Sequence, residues 1–328
     1  MASFISGAAF GAAMFAAGFH HPSVIVAQLK FENFHMIQAF LTATATSAIV
    51  YTIAEKLNYT HLNPRPNSPL GLFAKYDGNI VGGGLLGAGM ALSASCPGTL
   101  IIQAGAGVGT SVFSLGGAIL GGIAWSGFLG KLINKRAKNA DMKADAVPVG
   151  DHLGLSRTAT LVALETVFTS INVLTTLYTP AAPEPRILGA IGGLLIGSAQ
   201  AFSILTRRSM VGVSSFYDEA GQLFWWILSG FKASLKPASL RNTLFATGMF
   251  SGVWLLARAA PTLVGEVVVE TSPLLATLGA FLMIIGARTA GGCTSGHGIS
   301  GISLLSTSSM ITIASAFGVG ALVAAGLS

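Results

Sequence analysis

The chain is 328 residues long, and only 9% of its side chains are charged, against ~25% in an ordinary soluble domain. Its mean hydropathy is +0.70, so a soluble fold would lack the polar residues needed to cover its surface, and the composition points to a membrane. The formal net charge of +6 does not indicate nucleic acid, because the charges lie in loops between apolar segments, where membrane orientation accounts for them. Two cysteines with no CxxC and no zinc-ligand spacing exclude a disulfide framework and a zinc module. Neither a metal nor another cofactor is expected.

The N-terminus opens directly on an apolar, glycine-rich stretch from Phe4 to Phe19. It has no basic n-region, so it reads as a first span and not as a cleaved signal. A span needs ~20 mostly apolar residues. In chain order nine candidates follow that requirement: 3–20, 35–54, 80–108, 112–130, 157–179, 187–206, 242–260, 272–300 and 305–327. The stretch EAGQLFWWILSGF at 219–231 is too short to span and reads as re-entrant or interfacial, a setting that suits Trp225 and Trp226. Residues 131–156 form the one hydrophilic linker, expected in the cytoplasm.

Two of these segments are long and interrupted. The first contains GGGLLGAGMALSASCPGT, ending at Thr99, and the second LMIIGARTAGGCTSGHGISG, ending at Gly301. Cys96 and Cys293 are the only cysteines, and each holds the same place in its segment. Unpaired backbone groups in hydrocarbon cost several kcal/mol, so such a break belongs where protein buries it or where it lines a cavity. Broken helices in duplicated halves are the best sequence pointer to a transport site. Each break therefore reads as a half-helix, a cavity-lining turn and a second half-helix.

The order of elements in 1–130 recurs in 187–328: an opening glycine-rich span, a second span, a cysteine break and a closing span. GAAFGAAMFAAGFHHPSV loosely resembles GGLLIGSAQAFSILTRRSMVG across the halves. The helix at 157–179 connects them and inverts the second copy. The expected fold is an all-α polytopic membrane protein, an inverted repeat of about nine transmembrane helices with broken, re-entrant helices carrying the cysteines. Fourteen of the eighteen Lys and Arg fall in loops on one side, three (Lys30, Arg186, Arg258) on the other, and Arg288 within the second break. By the positive-inside rule the N-terminus is expected inside and the C-terminus outside, in a plasma membrane.

Pro97 suits the first turn of a helix, which places Cys96 at a helix N-terminal edge, beside Gly98 and Thr99. Cys293 stands likewise before Thr294, Ser295 and His297. Free N–H groups at such an edge attract anions and activate a thiol. The alternative reading of each cysteine is a small buried hydrophobe. His297 is either an anion donor or a satisfied histidine at a turn. Arg288 either draws anions inward or anchors backbone carbonyls. Glu165, at membrane depth, is a functional suspect, or a partner of Arg288 or of a neighbouring hydroxyl. His20 and His21, at the end of the first span, either line a vestibule or simply lie at the interface.

These two motifs together resemble the YeeE/YedE family of sulfur-transport membrane proteins, over nearly the whole chain. The resemblance implies short broken helices around a narrow waist, through which thiosulfate is relayed by hydrogen bonds to Cys96 and Cys293. Bacterial importers of that family carry a further cysteine near the end of the first span, where this chain reads FAAGFHHPSV and offers His20, His21 or Ser23. The resemblance also implies a small cytoplasmic partner, a sulfur carrier of the TusA type.

A thiol is a weak donor, so it binds an anion with a soft terminal sulfur without trapping it, as conduction requires. The leading expectation is a non-enzymatic importer of thiosulfate or a related small sulfur-containing anion. The alternatives are a transporter of another inorganic anion, an unselective channel or scaffold, and a membrane thiol oxidoreductase using Cys96 and Cys293 as a redox pair. The last needs Cα atoms within about 7 Å.

Overall fold

The computed structural model describes residues 1–140, 142–267 and 271–327, without the side chain of Asn139. Asp141, inside the expected linker, and Val268, Val269, Glu270 and Ser328, inside the expected second repeat, lie outside the described residues. The chain is helical throughout, and the one β-bridge among the described residues joins Pro148 to Ser306.

The helices in chain order are α1 (Ala2–Ala16), α2 (Pro22–Leu29), α3 (His35–Lys56), α4 (Asp77–Ser93), α5 (Thr99–Ala106), α6 (Ser111–Ala124), α7 (Gly130–Asn139), α8 (Val149–Leu153), α9 (Arg157–Tyr178), α10 (Gly189–Arg207), α11 (Ser215–Leu228), α12 (Arg241–Ala259), α13 (Pro273–Thr289) and α14 (Thr307–Gly326). A π-helical turn, Trp125–Leu129, fuses α6 to α7, and a second, Thr294–Gly301, follows α13.

Among the described residues, five helices are long and apolar enough to cross a membrane: α3, the fused α6–α7, α9, α10 and α14. A sixth span results if α13 and the π-helical turn after it, bent by 44°, count as one. The nine sequence segments thus resolve into unequal pieces. At 15 and 17 residues, α1 and α4 fall short of the ~20 a full crossing takes. The 19 residues of α12 include Arg241, Asn242 and Arg258, which lower its apolarity. The stretch around Trp225 is the short α11, as expected of a segment that does not span.

Helix packing follows the glycines. In a bilayer helices gain nothing from hiding apolar surface from one another, so association relies on close backbone approach at small residues. The largest helix contacts are α4 with α13, α4 with α14, α1 with α12, α3 with α10 and α6 with α13. At the α1–α12 crossing a Cβ on Gly11 would lie 2.4 Å from the Met249 carbonyl oxygen, and one on Gly252 2.3 Å from that of Ala8. At the α4–α13 crossing, glycines face glycines: a Cβ on Gly82 would meet the Gly286 carbonyl at 2.7 Å, and one on Gly89 that of Gly279 at 2.5 Å.

Two carboxylates hold loop and helix ends. Asp77, fully buried, accepts from the backbone N–H of Leu70 and Leu72, both at 2.6 Å. Glu219 on α11 accepts from the N–H groups of Asn242 (3.2 Å) and Thr243 (2.8 Å), which are orphan donors of the first turn of α12. The linker is tied at two points. Asn67 and Asp145 exchange hydrogen bonds, and Val149 N–H donates to Leu305 O at 2.8 Å while Thr307 N–H donates to Val147 O at 3.1 Å. Residues 145–149 are therefore part of the folded body, unlike the exposed helical stretch before them.

The glycine crossings generate the first test. Gly11→Ala forces a methyl into the Met249 carbonyl, and overpacking of this kind costs about 1–3 kcal/mol. Gly116→Ala on α6 meets nothing within 4 Å and gains helix propensity worth up to about 1 kcal/mol. Thermal unfolding in detergent is expected to fall for the first and to hold or rise for the second.

Candidate functional site

The first break begins where α4 ends on Ala94, whose φ of 48° is left-handed, a conformation costly for a residue with a Cβ. That reversal leaves carbonyls without helical partners. Gln103 on α5 reaches back to donate to Ala94 O at 3.0 Å, and the fully buried Tyr217 of α11 donates its hydroxyl to Pro97 O at 2.8 Å. Cys96 then opens α5. Its carbonyl accepts from Leu100 N–H at 3.0 Å, its sulfur accepts from Thr99 N–H at 3.4 Å, and its own N–H donates to Thr99 Oγ1 at 2.6 Å. The thiol thus lies two residues before the Gly98 N-cap and takes the N–H of the first helical residue.

The second break is wound differently. Cys293 is extended, at φ −103° and ψ −173°, and the π-helical turn Thr294–Gly301 starts from it. Single-turn π segments are rare and recur at functional sites. The Cys293 carbonyl accepts from His297 N–H at 2.7 Å, and its sulfur lies 3.2 Å from Ser295 Oγ. Carbonyls on either side of it are again covered by side chains. Ala290 O accepts from Asn79 Nδ2 (3.3 Å) and from His297 Nε2 (3.0 Å). Gly291 O and Gly296 O accept from Arg65 Nη1 (3.2 Å) and Nε (2.6 Å).

The two breaks meet. Cys96, Gly98 and Thr99 from the first, with Thr294 and Ser295 from the second, line one narrow cavity of about 30 Å³, closed by Met14, Phe19, Met36, Phe40, Ile196 and Ile299. Cys293 lies one side chain behind that wall, joined to it through Ser295. Tyr217 is within electrostatic reach of both sulfurs. Both cysteines are free thiols, 5% and 0% exposed. The chemistry on offer is a set of soft S–H and hydroxyl donors in an otherwise apolar constriction.

The other residues singled out by sequence lie apart from this cavity. His297 is engaged on both sides, donating Nε2–H to Ala290 O and, as a neutral ring, accepting from Ser309 Oγ at Nδ1, 2.9 Å away. Arg288 pairs with Asp218 at 3.0 Å, so it is not the partner of Glu165. Glu165 lies on α9, which packs on α3, and its Oε1 has no partner among the described residues. It opens on a groove with Thr166, Thr169 and Ser170.

His20 donates Nε2–H to Val264 O at 2.9 Å and stacks on His21 with centroids 4.0 Å apart. Both nitrogens of the buried His21 ring, and Ser23 Oγ, lack partners among the described residues. These groups follow Phe19, which does line the cavity. No cluster of metal-ligating side chains occurs among the described residues.

Sequence reading missed Tyr217, Gln103, Asn79 and Arg65. Tyr217, Asn79 and Arg65 act on carbonyls far along the chain, where no local motif marks them, while Gln103 acts nine residues back within its own break.

Comparison with curated proteins gives no match. The family model described as "Sulphur transport" matches residues 16–323, which includes both breaks and every helix that closes the cavity except most of α1. The chain belongs to this sulphur-transport family, an integral membrane family of sulfur-compound transporters.

Proposed function

We propose that the chain carries thiosulfate, or a related small sulfur-containing anion, across the membrane through a waist formed where the two breaks meet. The observation that carries this reading is the shared cavity, to which the first break gives Cys96 and Thr99 and the second Thr294 and Ser295, with Cys293 behind. A thiol donates weakly. It suits a large, polarisable terminal sulfur, whereas the hard oxygens of sulfate lose more hydration than an S–H returns. Binding in a conduction path must be favourable enough to admit the ion and weak enough to release it. Met14, Met36, Phe19 and Phe40 supply the apolar remainder. His20, His21 and Ser23 follow Phe19 of the cavity wall and would serve as outer donors, with both ring nitrogens of His21 unpartnered among the described residues.

The inverted repeat belongs to the same proposal. Several helix contacts come in mates under the exchange of halves: α1 with α12 mirrors α10 with α3, and α4 with α14 mirrors α13 with α6. The pairs α4–α13 and α1–α10 are their own mates. This pattern supports a pseudo-twofold between 1–130 and 187–328, with 131–156 as linker and 157–179 as connecting helix. The charge distribution supports the linker side as cytoplasmic with the N-terminus inside, and a basic surface open to a TusA-like carrier; the membrane proposed is the plasma membrane.

The relay is tested by uptake into vesicles containing only this protein. Cys96→Ala and Cys293→Ala are each expected to remove most thiosulfate uptake with unfolding temperature little changed, because a methyl fits but donates nothing. Serine at either position keeps a donor but a more strongly hydrated one, and is expected to restore little thiosulfate uptake while weakening rejection of sulfate. Near-normal uptake by the double alanine variant would return both cysteines to a packing role.

Sidedness is tested separately. Ala140→Cys in a Cys96→Ala, Cys293→Ala background places a thiol on an exposed part of the linker. It is expected to resist an impermeant maleimide in intact cells and to react after permeabilisation. Labelling in intact cells would invert the topology.

A further inference from the structure

Arg65 lies in the loop between α3 and α4, and its guanidinium is built into the second break. Prolines on both sides, Pro64 and Pro66, fix their own φ and restrict the residue between them. The Arg65 carbonyl accepts from the hydroxyls of Ser306 and Ser308, both at 2.9 Å. The break is glycine where the side chain passes: a Cβ on Gly292 would lie 3.1 Å from Nη1, one on Gly296 3.1 Å from Nη2, and one on Gly301 3.2 Å from Cδ.

This cation has no counter-ion among the described residues. The two ion pairs there are Arg157 with Glu55 and Arg288 with Asp218. Arg65 donates to two carbonyls through Nε and one Nη1 hydrogen. A guanidinium has five N–H donors, so its Nη2 group and the second Nη1 hydrogen remain free of protein partners among the described residues. The side chain is within electrostatic reach of Cys293, and the residue is half-buried. An inward-turned charge held by neutral carbonyls alone is expensive unless an anion completes it.

We propose that Arg65 is a binding residue for the transported anion, holding it on the linker side of the second break next to Cys293. The proposal rests on the transport reading above and extends it: a soft, weakly donating waist is followed by a hard, forked, permanently charged station. Nε and Nη1 hold the guanidinium on the break, while Nη2 faces the anion with a doubly donating edge. An oxyanion end, such as the sulfonate-like oxygens of thiosulfate, is the chemistry that edge recognises.

The test uses the full chain in liposomes with labelled thiosulfate, and equilibrium dialysis of thiosulfate against the purified protein. Arg65→Gln keeps a donor for the carbonyls but removes the charge. It is expected to raise the half-saturation concentration and the dissociation constant by about tenfold or more, the usual worth of a charge-assisted hydrogen bond. Arg65→Lys keeps the charge without the fork and is expected to recover to within about threefold of the native protein.

Unchanged binding in Arg65→Gln overturns the proposal. So does an equal loss in both variants accompanied by a lowered unfolding temperature, which is the signature of a purely structural staple. If the native protein takes up no thiosulfate, the transport reading fails, and dialysis alone then decides Arg65. Binding that is native-like in Arg65→Gln, or absent from the native protein, overturns the assignment.

Discussion

The whole arrangement depends on what happens to backbone carbonyls where a membrane helix is broken. In hydrocarbon such groups have no water to turn to. The first break gives up Ala94 O and Pro97 O, and the second Ala290 O, Gly291 O and Gly296 O. Each is met by a side chain: Gln103, Tyr217, His297 with Asn79, and Arg65 twice. These donors fix the two turns rigidly enough for the cysteines to open the helical segments that follow. The site is therefore a by-product of satisfying the breaks.

Glycine serves the same end at longer range. The close α4–α13 crossing, made by Gly82, Gly89, Gly279 and Gly286, holds together the two helices that lead into the breaks. A looser crossing would separate Cys96 from Ser295 and dissolve the cavity they share. Beneath the similar outline, the two breaks differ. The first restarts as an α-helix whose first residue, Thr99, donates its N–H to the Cys96 sulfur, the second as a π-helical turn in which the thiol bonds a serine. Along the proposed path an ion would therefore meet unlike groups in the two directions.

Much of this was legible in local sequence, because glycine, proline and cysteine act on their near neighbours. CPGT and GGCTSG give away both turns, and Pro97 gives away the start of α5 to within two residues. Long-range partners leave no such trace. Tyr217 acts 120 residues from Pro97, and Arg65 acts 226 residues from Gly291. By sequence Arg65 is one basic loop residue among fourteen on its side. His297 illustrates the reverse: its position beside Cys293 suggests a donor to the ion, but Ser309 and Ala290 already occupy both nitrogens. Span counting was affected by the same limit. Hydropathy sees an apolar run, not that α1 stops at 15 residues because the chain turns at Gly18, whose φ is +82°.

The size of the cavity has a consequence for how passage works. The cavity is small, about 30 Å³. Its walls include two methionines, Met14 and Met36, unbranched side chains with three rotatable bonds that repack at low cost. Phe19 and Phe40, by contrast, swing only as rigid plates. The proposed waist is thus walled in part by thioethers, which can yield by rotamer changes without moving the broken backbone.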